Sequence, residues 1–336
     1  MAQRPRAGDL PAQASTAQLR RFAKRLAPWA PVIVLVLLCL TLGLLNPRFL
    51  SADNFVRLAR SASIPLVLAL GGTFIIILGS IDLSVEGVIA LTAVALSMTV
   101  TNDRTDLSLG ILGIVIALGL GGLMGFINGF IHVRLRIPSF MVTLGMWFIG
   151  LGVATILTQG IAIRVQDPMV RGLVLERFLG FPYMVWVALI ALAVAYVIQR
   201  YTRIGRYMYA IGGGEDIAKL SGIPINRQKI IMFTLAGLFY ALGGIMAGAQ
   251  LGQSNALIGQ GRLFMTITAI VVGGTALSGG VGGVGNTFIG VLIVAVLDNG
   301  MVLLGVSPYV QQAVQGILII IAVAISLDRS RLRVVK

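Results

Sequence analysis

Apolar residues in this chain come in long unbroken runs, near residues 28–45, 61–80, 84–101, 108–131, 139–158, 183–199, 229–250, 263–277, 284–304 and 309–327. A helix needs about 20 predominantly apolar residues to cross the hydrocarbon core of a bilayer. The pattern therefore predicts an all-α, polytopic transmembrane helix bundle of about ten spans. The runs 61–80 and 263–277 are the least sharply bounded, because their ends merge into Gly-rich or polar sequence. The first run follows a basic segment containing Arg20-Arg21-Phe22, which is also how an export signal can begin. It is long enough to span and ends in Asn46-Pro47-Arg48 without a small-residue cleavage site, so it is read as an uncleaved first helix.

Composition supports the membrane reading. The chain is 57% hydrophobic and only 11% charged, against about 25% charged in a soluble domain. Its formal charge of +14 does not indicate nucleic acid, because Lys and Arg are spread through short loops rather than gathered on one face. Their distribution sets an orientation instead. With the N-terminus in the cytoplasm, 18 basic residues fall inside and 8 outside, the bias expected of cytoplasmic loops. Both termini are then cytoplasmic, and the chain divides into a basic N-terminal segment (1–27), a transmembrane domain (28–327) and a basic tail (328–336). Cys39 is the single cysteine and His132 the single histidine, so neither a disulfide framework nor a metal cluster is expected.

Two loops are long. Residues 159–182, external in this topology and bounded by Pro168 and Pro182, have room for a short surface helix. Residues 200–229 form the longest cytoplasmic segment, with a short helix expected to start near Gly214 and to stop at Gly222-Ile223-Pro224. Glycines recur every fourth residue at Gly121, Gly125 and Gly129, and again at Gly244, Gly248 and Gly252. In lipid such spacing lets two helix backbones approach closely, either within one subunit or between two.

No phosphate-binding loop of the G-x-x-x-x-G-K-[ST] type occurs. Gly280-Val281-Gly282-Gly283-Val284-Gly285 matches G-x-G-x-x-G but lies between two apolar runs with no preceding strand, which makes it a tight turn. No nucleophile–base cluster is present either, so no catalytic role is assigned. The rare acids are more informative. Asp82 and Glu86 interrupt an apolar stretch, and Asp298-Asn299 lies within the run 284–304. A carboxylate at membrane depth usually faces the bundle interior or a wet cavity. In a helix, Asp82 and Glu86 would share one face; alternatively Asp82 or Ser84 caps the start of the third span.

Three blocks carry a family resemblance: Ile81-Asp82-Leu83-Ser84-Val85; Gly205-Arg206-Tyr207-Met208-Tyr209-Ala210-Ile211-Gly212-Gly213, continuing through Ala218-Lys219-Leu220-Ser221-Gly222-Ile223; and Val272-Gly273-Gly274-Thr275-Ala276-Leu277-Ser278-Gly279-Gly280-Val281-Gly282, with Asn299-Gly300 and Leu304-Gly305-Val306-Ser307 beyond. Together, and in this order from about residue 50 to 327, they resemble bacterial ABC-type permeases of the ribose/xylose/galactose import family. The resemblance implies a permease in the lipid bilayer of the bacterial inner membrane, paired with a second permease subunit as a homodimer or heterodimer. It further implies cytoplasmic ATP-binding subunits, a periplasmic substrate-binding protein, alternating access driven by ATP, no cofactor, and a simple, ribose-like sugar as cargo.

The same resemblance makes 200–229 the coupling segment that docks on the ATPase, through Gly205, Arg206, Glu215, Asp216, Ala218, Lys219 and Gly222. Asp82, Ser84, Glu86, Asp298 and Asn299 remain candidates for the pathway or its gate. Three positions depart from the family pattern. Glu86 stands where glycine is usual, Gly214 where Asn is usual and Asp298 where Asn is usual, which leaves the substrate open. The rival readings are a permease for branched-chain amino acids or nucleosides, and an ion-coupled secondary transporter using Asp82, Glu86 or Asp298. The recurrence of Gly71-Gly72-Thr73 and Gly273-Gly274-Thr275 in the two halves bears on the latter.

Overall fold

The structure, a computed structural model, describes residues 29–326. The expected basic segment 1–27 and tail 328–336 lie outside the described residues. Thirteen α-helices follow in order: α1 (Ala30–Leu45), α2 (Ala52–Ile77), α3 (Val85–Thr99), α4 (Ile111–Leu135), α5 (Ser139–Thr158), α6 (Pro168–Leu175), α7 (Tyr183–Tyr201), α8 (Arg203–Gly213), α9 (Glu215–Leu220), α10 (Ile225–Leu251), α11 (Arg262–Val272), α12 (Val284–Leu303) and α13 (Pro308–Ser326). Four two-residue strands, β1 (Ile163–Arg164), β2 (Arg177–Phe178), β3 (Phe181–Pro182) and β4 (Gln253–Ser254), pair as β1–β4 and β2–β3.

Every predicted apolar run contains a helix, but length separates them. Helices α2, α4, α5, α7, α10 and α12 are long and apolar enough to cross a membrane. Helix α3 has 15 residues and α11 only 11. At a rise of ~1.5 Å per residue, α3 extends about 22 Å, short of a hydrocarbon core of about 30 Å. The two least sharply bounded runs are also the two the structure redraws most. The second helix begins at Ala52 rather than residue 61, because the Ser51 hydroxyl accepts the Asn54 N–H at 3.3 Å and Asp53 sits in the first turn. The helix expected over 263–277 stops at Val272, where Gly273 and Gly274 turn the chain.

Helices α2, α3 and α10 fill the centre of the bundle, and α10 packs along α4, α3 and α2. The glycine repeats account for that closeness. Gly121, Gly125 and Gly129 of α4 lie against Gly237, Phe233 and Ile230 of α10, and Gly244 of α10 lies against Ile89 and Thr92 of α3. Both repeats therefore join helices of one chain. Large apolar side chains such as Leu44, Ile111, Phe148, Ile156 and Ile190 point outward, the surface expected where helices meet lipid.

Three irregular stretches interrupt the bundle, at 78–84, 252–261 and 273–283. Non-helical backbone at membrane depth persists only where it is buried in protein or lines a cavity. The end of the bundle opposite α8 and α9 is closed by a tied cap. There β1 pairs with β4, Arg104 donates to the carbonyls of Thr158 (3.1 Å) and Ile161 (3.0 Å), and Arg171 donates to that of Ala249 at 2.7 Å. Asn102 donates to the carbonyls of Ser97 (2.7 Å) and Val100 (2.9 Å). The short helix expected within 159–182 is α6, capped by Asp167, whose Oδ1 accepts the N–H groups of Met169 and Val170.

Candidate functional site

The long loop at the other end folds into two short helices. α9 is the helix expected from the sequence, with Gly214 at its N-cap and Gly222 beyond its end at φ 78°. The preceding helix α8 was not anticipated. It starts where the Thr202 hydroxyl accepts the Gly205 N–H at 3.2 Å. Gly205 is buried against the carbonyls of Ile198 and Gln199, so any larger residue would open the α7–α8 corner. Gln228 donates to the Ile204 carbonyl at 2.8 Å, and Lys229 pairs with Glu215 at 2.8 Å, tying the unit to α10.

Of the remaining coupling candidates, Ala218 is buried while Arg206, Asp216 and Lys219 are exposed. The apolar residues divide in the same way. Ile211 is buried, whereas Ile217 is 72% and Leu220 88% exposed. Two large apolar side chains thus remain exposed on a six-residue helix that polar bonds hold in place.

The α8 terminus inserts between two of the irregular stretches. A methyl group on Gly212 would collide with the carbonyl oxygen of Ile77 and sit 2.6 Å from the Gly280 amide nitrogen. The Gly280 N–H itself donates to that Ile77 carbonyl at 2.9 Å. One on Gly279 would lie 2.9 Å from Gly79 Cα. Three backbones therefore meet with no side chain between them. Tyr209 of α8 donates its hydroxyl to the Gly282 carbonyl at 2.6 Å; burial pushes this phenol's pKa up, which keeps it the protonated donor. The Gln199 side-chain oxygen accepts the first N–H of α12, from Val284, at 2.6 Å. The inter-helix turn the sequence suggested over Gly280 to Gly285 thus forms at Gly280 to Gly283, with Gly280 and Gly282 at positive φ and Val284 already in α12.

From this junction the chain runs directly to Asp82. Asp82 precedes α3, so it does not share a helical face with Glu86. Its Oδ1 accepts both the Ser84 N–H (2.8 Å) and the Ser84 hydroxyl (2.6 Å). Ser84 occupies the N-cap position of α3, but its hydroxyl serves Asp82 and accepts from Asn128 (3.0 Å) instead of capping the helix. Ser139 and Thr143 of α5 accept the N–H groups of Ile81 (3.1 Å) and Leu83 (2.9 Å), which satisfies the exposed backbone of the loop.

Glu86 caps a different helix from its own. Its Oε1 accepts the N–H of Leu263, in the first turn of α11, at 3.2 Å, where a carboxylate also complements the helix dipole. Glu86→Ala is expected to lower stability by about 1–3 kcal/mol, because a buried donor loses its acceptor. Glu86→Gln keeps an acceptor oxygen and is expected to retain most of the stability. Thermal unfolding in nanodiscs compares them, and equal losses would remove the capping role.

Asp298 and Asn299 belong elsewhere. Asp298 accepts from Gln315 of α13 at 2.9 Å, and Asn299 exchanges two bonds with Asn54, at 2.9 and 3.0 Å. Asn54 lies in the first turn of α2, whereas Asp82 lies beside Gly72 and Ile75 of the same helix, about 30 Å further along at ~1.5 Å per residue. The five pathway candidates therefore form two separate groups. Asn128 and Tyr240, which join the Asp82 group, were not singled out from sequence, although each is a polar side chain inside an apolar run. Gly71-Gly72 lies within α2 and Gly273-Gly274 past the end of α11, so the repeated tripeptide does not mark equivalent places.

Residues 54–323 match the family described as branched-chain amino acid transport system / permease component. The chain is 35% identical to the ribose import permease protein of Escherichia coli K12 over 298 residues, covering 88% of this chain and 92% of that one. It is 33% identical to the fructose import permease protein of Rhizobium meliloti, covering 92% of this chain and 87% of the relative. Identity to the L-arabinose ABC transporter permease protein of Azospirillum brasilense is 33%, with 87% and 85% covered. No solved structure matches the chain.

Proposed function

The chain belongs to the branched-chain amino acid transport system / permease component family, and from that premise we propose that it is the membrane permease of an ATP-driven importer for a simple sugar. The named relatives that support a sugar cargo import ribose, fructose and arabinose. The reading extends to about ten spans in a bacterial inner membrane, both termini in the cytoplasm, and a second permease subunit. A periplasmic protein delivers the sugar at the tied cap. The permease itself catalyses nothing, and ATP is hydrolysed by cytoplasmic partner subunits.

The observation that carries this reading is the exposed pair Ile217 and Leu220 on α9. A large apolar residue held in water by a braced helix is the form of a docking knob, and hydrophobic anchors dominate such contacts. In this reading Arg206, Asp216 and Lys219 surround the knob with charge, while Gly205, Ala218 and Gly222 shape the unit that presents it and the Glu215–Lys229 pair fixes its angle. An ion-coupled carrier has no need of this surface.

Affinity purification of the tagged permease, coexpressed with a candidate importer ATPase subunit, tests the proposal. Ile217→Ser with Leu220→Ser is expected to weaken copurification about tenfold or more, given ~1.5–3 kcal/mol for each apolar side chain fully buried. An unchanged yield of ATPase with this variant, or sugar uptake driven by an ion gradient without any ATPase, refutes it.

A further inference from the structure

At the α8–α9 end of the bundle an open cleft of about 900 Å³ lies between the α4–α5 turn, α9 and the start of α10. Four cations line it, Arg136, Lys219, Arg227 and Lys229, against the single carboxylate of Glu215. Lys229 already holds both Glu215 oxygens, at 2.9 and 2.8 Å. Arg136, Lys219 and Arg227 are exposed and have no carboxylate partner among the described residues. The N–H groups of Asn226 and Arg227, in the first turn of α10, also meet no acceptor among those residues. A helix start of this kind attracts anions.

The rest of the lining is apolar, from Val133, Ile137 and Ile223. His132 Nδ1 donates to the Ile137 carbonyl at 2.7 Å, which holds the turn that carries Arg136 in a left-handed conformation. The chain leaves the cleft at Pro138 and enters α5, where Phe140, Met141 and Leu144 are exposed. That helix is long and apolar enough to cross a membrane. A cationic seat that passes into an apolar helix matches a molecule with a phosphate at one end and acyl chains at the other.

We propose that this cleft seats the phosphate headgroup of an anionic phospholipid, drawn from the leaflet on the α8–α9 side. Basic pockets between membrane helices suit anionic headgroups in this way. The phosphate lies among Arg136, Lys219, Arg227 and the open N–H groups of α10, and the acyl chains run along α5. The ATPase keeps another face of α9. Glu215 and Lys219, four residues apart, share one side of that helix, while Ile217 and Leu220 line no part of the cleft. The lipid therefore braces the coupling unit from behind, whatever cargo the permease carries.

The test titrates the full-length permease in mild detergent with short-chain phosphatidylglycerol, short-chain phosphatidylcholine and inorganic phosphate, and follows melting temperature. Phosphatidylglycerol is expected to raise it, as a ligand of the folded state does, and the other two to leave it unchanged. Arg136→Gln with Arg227→Gln is expected to weaken the midpoint of the phosphatidylglycerol effect about tenfold or more. Arg134→Gln with Arg203→Gln removes the same charge from exposed positions outside the cleft. Its midpoint is expected to stay within about twofold of wild type, because exposed charges at a distance are screened.

Equal midpoints in the two double variants assign the effect to overall charge and overturn the seat. Protection by inorganic phosphate equal to that by phosphatidylglycerol overturns the lipid as its occupant. An ATPase yield that falls in Arg136→Gln with Arg227→Gln, at an unchanged lipid midpoint, gives the cleft to a protein partner and overturns the proposal as well. Wild type supplies a check that needs no folded variant. About 0.5 M sodium chloride is expected to weaken phosphatidylglycerol several-fold by screening, and a midpoint indifferent to salt refutes the seat.

Discussion

Gly212→Ala is expected to reduce ATP-driven uptake about tenfold or more while the ATPase still binds. The added methyl has nowhere to go. It meets the Ile77 carbonyl and the Gly280 amide, both backbone groups already bonded to one another, so neither can rotate aside as a side chain would. Overpacking of this kind costs about 1–3 kcal/mol, and here α8 must withdraw from the junction or the Gly280–Ile77 bond must break. The proposed docking pair, Ile217 and Leu220, lies exposed on α9, so under that reading partner recognition is unaffected and only its transmission inward is lost. Gly213→Ala is the matched control, since a methyl there meets no atom within 4 Å. Uptake and copurification measured side by side give the result. Equal uptake by the two variants would show that α8 does not act through this contact.

The second large effect concerns assembly of the bundle. Gly125→Ala places a methyl against the Phe233 carbonyl of α10, with Thr234 Cα at 3.1 Å. The α4–α10 seam must widen along its length, and the loss expected is again about 1–3 kcal/mol or more. Gly119→Ala, on the same helix with open space around it, is expected to be neutral or to stabilise by about 0.5–1 kcal/mol, since alanine favours a helix interior. Melting in nanodiscs separates the two, and a melting temperature for Gly125→Ala at or above that of Gly119→Ala contradicts the packing described.

Most of the helices were legible because apolar length is a local property. Their ends were not, where a single polar residue decides. Ser51 starts α2 ahead of its apolar run by capping Asn54, and nothing in hydropathy signals it. The loss of five residues from the end of the run 263–277 follows from Gly273 and Gly274, which the apolar average conceals. α9 was legible through Gly214, Gly222 and Pro224, all local stop signals, whereas α8 was hidden because Arg203 to Gly213 alternates charge, glycine and aromatics without an apolar run.

The candidate site divides along the same line. Asp82, Ser84 and Glu86 stood out as polar residues in apolar sequence, but Ser84 bonds Asn128, Glu86 bonds Leu263, and the amides of Ile81 and Leu83 beside them bond Ser139 and Thr143. Those partners are distant in the chain, and only the fold brings them together. Tyr240 was invisible for a related reason: a tyrosine in a membrane helix is unremarkable until its hydroxyl is found without a partner.

The tied cap has a consequence for how such a protein changes over generations. Arg104, Arg171 and Asn102 donate to main-chain carbonyls of Thr158, Ile161, Ala249, Ser97 and Val100, and β1–β4 is held by backbone pairing. A carbonyl is supplied by every amino acid, so these bonds constrain the three donors and not the accepting side chains; Ser97, Val100, Thr158 and Ala249 are fixed by burial instead, while Ile161 is exposed. Under the proposed importer reading, an exposed position such as Ile161 can thus drift in sequence and suit a new courier without loosening the architecture beneath it.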